Sequence, residues 1–300
     1  MSEIDKPAFI AVDWGTTRMR ASLVGRDGAV LDRITSDQGV QSVAAGGFPA
    51  ALEAACGPWF ATDPHLRVVM SGMVGSRNGW VEAPYMSCPC GPDDLAAGFT
   101  RIEGARDVVV APGVDIRWPD GAYDVMRGEE VQAIGVGLAD GMICLPGTHS
   151  KWIEMAGGRI VRFATFVTGE LYAAIAGSFL GRLAEAPDDA SGHVAGARAA
   201  RFKGGLSRSL FQTRSQVLGG DIDGHAVRPF LSSLVIGQEL IGAQDLFGPC
   251  RSVHLVAASP QREVYQAAFE QHGIAVTTLD PAEVTLSGLR RLYAASKPTP

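Results

Sequence analysis

The stretch VDWGTTRMRASLV, Val12 to Val24, decides how this chain is read. AFIAVDW, Ala8 to Trp14, is apolar and β-branched, and RMRASLV resumes in extended style after Gly15. The two therefore form a strand, a tight turn and a returning strand. An acid, a glycine and two hydroxyls close together suit a phosphate. Consecutive backbone N–H groups at a tight turn converge into a concave nest. Gly15 admits the phosphate without a Cβ clash, and the Thr16 and Thr17 hydroxyls add donors. Asp13, closing the incoming strand, is placed to hold a hydrated divalent cation, since magnesium favours few carboxylates, several waters and the substrate's phosphates. Taken alone, the same residues equally describe a plain hairpin in which Asp and Gly serve turn geometry.

A second stretch, CLPGTHSKWIEM from Cys144 to Met155, repeats the pattern of strand, Gly-Thr turn and strand. Gly147 and Thr148 form its turn, and His149, Ser150 and Lys151 supply donors or positive charge. Leu145 stands where the first turn has its acid, so only the first turn is expected to organise metal. Lys151 reads either as a phosphate contact or as a solvated strand residue. Each turn opens a run of hairpins at the start of one half of the chain. This predicts two related lobes, residues 1–138 and 139–300, with the turns facing each other across a cleft.

The bulk properties agree with that size. At 300 residues the chain is long for one core and comfortable for two. It is 46% hydrophobic and 19% charged, with a net charge of −6, so there is no basic footprint for nucleic acid. The longest apolar runs fall short of the roughly 18 residues that span a bilayer, and MSEIDKPAF has no apolar signal region. Five cysteines without framework spacing point to reduced thiols and a cytoplasmic protein. Cys88 and Cys90 form a CxC that no second pair completes into a zinc site.

Along the chain, FPAALEAACGPWF reads as a helix closed by Gly57 and Pro58. RVVMSG is a short buried strand that empties into the glycine-rich loop GMVGSRNGW, and DIRWPDGAYDVM looks loop-like. Val131, Ile134 and Leu138 recur at helical spacing after Glu129. Thr168 is placed to cap the helix TGELYAAIAGSFLGRL. The segment from Glu185 to Gly196 reads as a mobile loop. Helical patterns then run through ARAARFKGGLSRSLFQTRSQVL and FLSSLVIGQELIGAQDLF. Gly237 and Gly242 in the latter mark either a hinge or close core packing. No GxxxxGK[ST] occurs, and GVG at Gly135 lacks the rest of a dinucleotide fingerprint.

DWGTTRMRA resembles the first phosphate motif of the actin-like ATPase and sugar kinase superfamily, in particular the DxGTTSxRA of carbohydrate kinases. GEEVQAIGVGLADGMICLPGTHSKW is similar to those kinases' Gly-Asp helix followed by their second phosphate hairpin. HLVAASPQREVYQAAFEQHGI is similar to the adenosine motif, with Ala257 and Ala258 where glycine is usual. GMVGSRNGWVEAPYMSCP, DVMRGEEVQ, LPGTHSKW and TFVTGELY look like signature blocks of the 2-dehydro-3-deoxygalactonokinase family. The resemblance implies a two-lobed α/β fold of the actin-like ATPase (ribonuclease H-like) type, each lobe a mixed sheet opened by antiparallel hairpins and flanked by helices. It also implies ATP and magnesium as cofactors, and phosphorylation of the 6-hydroxyl of 2-dehydro-3-deoxy-D-galactonate in galactonate breakdown.

Roles follow from the resemblance. Phosphoryl transfer needs positioning, charge stabilisation and a carboxylate to accept the hydroxyl proton. Glu129 matches the base position, with Glu130 as its alternative; both also suit the positive end of a helix. Arg20 matches the motif arginine and is expected near the transferring phosphoryl group, and Arg18 on the same strand face. Gly15, Thr16, Thr17, Gly147, Thr148, Lys151 and Ser259 are the expected nucleotide contacts. The loop after RVVMS, with Gly72, Met73, Ser76, Arg77 and Trp80, is the candidate sugar-acid site. Arg77 is the expected fork for the carboxylate, and Trp80 either an apolar wall or core packing. Two alternatives stay open: a superfamily kinase for another sugar or sugar acid, and a nucleotide-switched actin-like assembly protein. The expected partners are the sugar acid and ATP, with neither nucleic acid nor membrane, and a homodimer is compatible with the sequence.

Overall fold

In the computed structural model, which describes residues 6–104 and 106–296, the chain opens with β1 (Pro7–Trp14), β2 (Met19–Gly25), β3 (Val30–Ser36), α1 (Phe48–Thr62) and β4 (Arg67–Ser71). Phe9 to Val12 are buried without alternation, as befits a strand covered on both faces. β1 pairs antiparallel with β2 and parallel with β4. There follow β5 (Tyr85–Ser87), α2 (Pro92–Ala97), β6 (Thr100–Ile102), β7 (Val108–Val110), β8 (Gly113–Arg117), β9 (Tyr123–Met126) and α3 (Glu129–Val136). The main sheet runs β3-β2-β1-β4-β7-β6, and β5, β8 and β9 form a small second sheet.

The rest of the chain forms β10 (Gly141–Leu145), β11 (Ser150–Ala156), β12 (Arg159–Phe166), α4 (Thr168–Ala176), α5 (Ser191–Ala199), α6 (Gly205–Gly219), α7 (Val227–Phe247), β13 (Ser252–Val256), α8 (Gln261–Gln271), β14 (Ala275–Leu279) and α9 (Pro281–Ala295). Its sheet runs β12-β11-β10-β13-β14. This repeats the order β3-β2-β1-β4-β7, so the echo between the two Gly-Thr stretches is one of topology as well as sequence. β10 and β13 are parallel, with Cys144 opposite Leu255. In both sheets the end of the turn-bearing strand therefore lies beside the end of the next parallel strand.

The sequence reading needs correction in three places. Helix α1 does not stop at Gly57 and Pro58 but runs on to Thr62. A proline inside a helix costs about 3 kcal/mol, and the burial of Trp59 and Phe60, 5% and 2% exposed, offsets it at about 2–3 kcal/mol each. DIRWPDGAYDVM is not a loop: β8 and β9 pair antiparallel, with Val114 opposite Met126. Half of the supposed mobile loop is helix α5. A Cβ at Gly192 or Gly196 would overlap the backbone of α7 at Ala226 or Phe230, so these glycines permit close helix packing.

The compact units are the chain as far as Asp140 with Met155–Phe163 and the segment from Pro281, and Gly141–Glu154 with Ala164–Asp280. The break thus falls at 140/141 rather than 138/139, and α9 joins the first unit. It packs on α3, where a Cβ at Gly135 would overlap Val284 and one at Gly288 would overlap Val131. Gly237 and Gly242 lie inside α7, where a Cβ on Gly237 would fall 2.6 Å from the Ala200 side chain and one on Gly242 2.9 Å from the Phe166 ring. That is the close-packing alternative. Among the described residues no helix is long and apolar enough to cross a membrane.

Candidate active site

The register of β1 against β2 sets Asp13 opposite Arg20, and Arg20 Nη1 lies 3.3 Å from Asp13 Oδ2. Burial pushes the Asp13 carboxyl above its ordinary range, while the Arg20 charge and hydrogen bond pull it back. Both residues line a cavity of about 260 Å³ between strands β1–β3 and α9. Arg18 does not share Arg20's strand: it precedes β2 and turns to Asp37, at 3.2 Å.

At the first turn the Gly15 N–H donates to Arg18 O at 2.9 Å, and the Gln41 N–H donates to Thr16 O at 3.1 Å. Gly39 supports the turn from behind, where a Cβ would overlap the Thr17 backbone. Gly15 itself is different. It is not at positive φ, and a Cβ there would meet only Arg18 O at 3.5 Å, an ordinary contact. The fold does not require glycine at 15, and the space above the turn is open. Thr16 is half-buried and Thr17 exposed.

The β1–β4 register puts Ser71 opposite Asp13, so the loop that follows lies beside the turn. Gly72 has φ +90°, and a Cβ there would fall 2.9 Å from Trp14 O and 3.5 Å from Asp13 Oδ1. A Cβ on Gly128 would lie 3.4 Å from Gly72 Cα, which brings the start of α3 to the same place. Glu129 is half-buried, and its Oε2 accepts the Arg127 N–H at 3.0 Å. Glu130 is 1% exposed and accepts the Gly128 N–H at 2.7 Å. Burial, with the Glu129 charge adding to it, pushes the Glu130 carboxyl up to about 8. Of this pair, Glu129 is the one that solvent reaches.

In the loop, Met73 is exposed and Ser76 Oγ donates to Met73 O at 2.7 Å. The Arg77 side chain is 85% exposed, with Nε 3.4 Å from Glu82 Oε1. Trp80 stacks on Phe48 (6.1 Å, 13°) and meets Trp14 edge-on (6.3 Å, 80°), so it packs against the core. Sequence reading passed over Arg127. Its Nη2 donates to Ala83 O at 2.7 Å and its guanidinium lies 4.4 Å from the Tyr85 ring centroid, pinning the loop's far end. Its Nε and Nη1 are buried without a hydrogen-bond partner among the described residues. The only sequence signal was its place directly before Gly128 and Glu129.

The second unit repeats the logic of the first turn. A Cβ on Gly147 would meet His149 O at 3.5 Å, whereas one on Gly169, at the start of α4, would overlap Gly147 O. The Glu170 N–H donates to Thr148 O at 3.0 Å. Thr148 is exposed, and His149 Nε2 lies 2.6 Å from Glu170 Oε2. Lys151 is 4% exposed, so it is not a solvated strand residue. Ser259 is exposed, with Oγ engaged by Glu263 and Arg262 along α8.

Beside this turn is a cavity of about 620 Å³. Gly147, Thr168 and Gly169 line it, together with Pro260, Gln261 and Tyr265 at the start and first turns of α8. Ser232 also lines it, as do Tyr172, Asp188, His193, Arg228 and Val235. The last five come from separate segments between α4 and α7, and no local motif marks them. Ser259 is not part of this lining.

The family model described as 2-keto-3-deoxy-galactonokinase matches residues 13–292. A Rhizobium meliloti (strain 1021) protein assigned as a 2-dehydro-3-deoxygalactonokinase is 36% identical over 300 residues, covering 94% of this chain and 95% of that protein. The 2-dehydro-3-deoxygalactonokinase of Escherichia coli (strain K12) is 32% identical over 291 residues, covering 96% and 98%. A crystal structure of a Sinorhizobium meliloti protein, also assigned as a 2-dehydro-3-deoxygalactonokinase, aligns with TM-score 0.86 and 34% identity over 97% of this chain and 100% of that one. Component A of the (R)-2-hydroxyglutaryl-CoA dehydratase of Acidaminococcus fermentans aligns with TM-score 0.51 at 12% identity over 97% and 100%, a likeness of fold alone.

Proposed function

The chain belongs to the 2-keto-3-deoxy-galactonokinase family, and from that membership we propose that it transfers the γ-phosphoryl group of ATP to the 6-hydroxyl of 2-dehydro-3-deoxy-D-galactonate. It is a sugar-acid kinase with the actin-like ATPase fold, and ATP use follows from the two together. The nucleotide assignment rests on the cavity in the second unit, which is lined by both the Gly147 turn and the start of α8. A concave, largely apolar space with a few polar groups suits a nucleoside, and the adjoining open turn suits its phosphates.

Glu129 takes the proton from the sugar hydroxyl, a role that its access to solvent supports and the burial of Glu130 disfavours. Arg20 meets the transferring phosphoryl group, and Gly15, Thr16 and Thr17 cradle phosphate oxygens. Arg77 holds the substrate carboxylate in a bidentate fork, on a loop shaped by Gly72, Met73 and Ser76. Magnesium fits this donor set. Among the described residues no group of three His, Cys, Asp or Glu forms a metal cage, and magnesium on phosphates takes one or two carboxylates plus water. Asp13, half-buried with its charge disfavoured by burial, would hold the ion, which would neutralise charge on the phosphates.

ADP release measured with magnesium, ATP and each of the two C4-epimeric acids tests the substrate. The galactonate-derived acid is expected to have the higher kcat/KM; a preference for its epimer or for a neutral hexose overturns the assignment.

A further inference from the structure

Glu239, near the middle of α7, is 3% exposed and receives hydrogen bonds from several side chains. Trp152 Nε1–H donates to Oε1 at 2.8 Å and the Tyr265 hydroxyl to Oε2 at 2.7 Å. The Ser150 and Thr168 hydroxyls also hydrogen-bond to it, and Ser150 Oγ lies 2.9 Å from the Tyr265 hydroxyl. Burial raises its carboxyl above the ordinary range, against the pull of these bonds. Thr168, read in the sequence as an N-cap, is the first residue of α4 and directs its hydroxyl here instead.

A carboxylate buried beside Ile236, Leu240 and Ala243 is costly unless fully hydrogen-bonded, and an apolar residue would fill the space with less penalty. What the carboxylate adds is direction. Besides the Cys144 thiol of β10, 4.0 Å from Oε1, its donors sit on three elements around the cavity: β11 as it leaves the Gly147 turn, the start of α4, and α8. The start of α4 carries Gly169, which supports Gly147 from behind, and Glu170, whose N–H holds Thr148 O. Thr168 and Tyr265 line the cavity, and Glu239 does not.

We propose that Glu239 is a positioning residue for nucleotide binding: one buried carboxylate ties the second Gly-Thr turn, α4 and α8 into a single arrangement and sets ATP affinity without touching ATP. The proposal rests on the reading of the cavity as the nucleotide site.

Glu239→Gln keeps the size of the side chain but turns an NH2 group toward donors. It is expected to raise the Kd for ATP, measured by calorimetry without sugar acid, and the KM for ATP by about tenfold or more. The KM for the sugar acid should stay within about twofold. A merely structural role would lower Tm and the active fraction, hence kcat, and leave Kd and both KM values in place; that result overturns the proposal. Should Glu239→Gln not fold, Tyr265→Phe and Ser150→Ala each remove one oxygen and are expected to raise the Kd for ATP roughly threefold or more, with less than additive effects in the double variant. Wild-type affinity in both also overturns it. Ser232→Trp, which plugs the cavity wall, separates the two readings. If it binds ATP as the wild type does, the cavity is not the nucleotide site. If it loses ATP while the Glu239, Tyr265 and Ser150 variants keep it, positioning by Glu239 alone fails.

Discussion

Arg20 Nη1 stands 3.3 Å from Asp13 Oδ2, directly across the β1–β2 ladder. The pair opposes the burial that would otherwise favour a protonated Asp13. Arg20→Gln removes that opposition, so the Asp13 carboxyl moves further up and is protonated at higher pH. The acid limb of the pH profile of kcat/KM should shift upward, with a loss of about a hundredfold in kcat from the missing phosphoryl contact. An unmoved acid limb would show that Asp13 does not control it.

Glu129 and Glu130 are adjacent but face different surroundings. Glu129→Gln should lower kcat by about a hundredfold to ten-thousandfold, with ATP still bound. Near-normal turnover in that variant would transfer the role elsewhere.

Glu130 makes a stability prediction. Its carboxyl is raised from 4.5 to about 8 in the folded protein, so above pH 4.5 the folded state holds a proton that the unfolded state has released. Stability from this group is therefore complete below about pH 4.5 and is lost as pH rises toward 8, at about 1.4 kcal/mol per unit. Glu130→Gln should match the wild type in Tm near pH 4.5 and exceed it increasingly up to pH 8. A gap that does not widen with pH refutes the assignment.

The glycines of the turns divide into two kinds. Gly15→Ala and Gly147→Ala should leave Tm nearly unchanged, since the new Cβ has room, while raising the KM for ATP about tenfold by crowding the phosphates. Gly39→Ala and Gly169→Ala should destabilise the fold, because the backbone behind each turn must move. Thermal melts and ATP kinetics on the four variants distinguish a ligand requirement from a turn requirement.

Arg77 is exposed and its guanidinium is only loosely engaged with Glu82, at 3.4 Å. Arg77→Lys should raise the KM for the sugar acid about tenfold and leave that for ATP unchanged, because lysine cannot form a bidentate pair. An unchanged sugar-acid KM would exclude Arg77 from the carboxylate site.

What could be read from the sequence was local. The two Gly-Thr turns, the Glu129–Glu130 start of α3 and the glycine-rich loop each lie within a few consecutive residues, where spacing and residue type carry the chemistry. Their shared topology was legible for the same reason: each turn announces its own hairpin. Local sequence leaves Trp80 open between wall and core, and its ring contacts with Phe48 and Trp14 assign it to packing.

By itself, then, the sequence determined the strand-turn-strand units, the family and the kind of chemistry, because these depend on neighbours along the chain. The tertiary structure decided the rest. It carried α1 through Pro58 to bury Trp59 and Phe60, folded Ser191–Ala199 into a helix on α7, returned α9 to the first unit, and gathered Ser150, Trp152, Thr168 and Tyr265 around Glu239. Each of these outcomes depends on burial and hydrogen bonding between residues far apart in sequence, which local propensity does not encode.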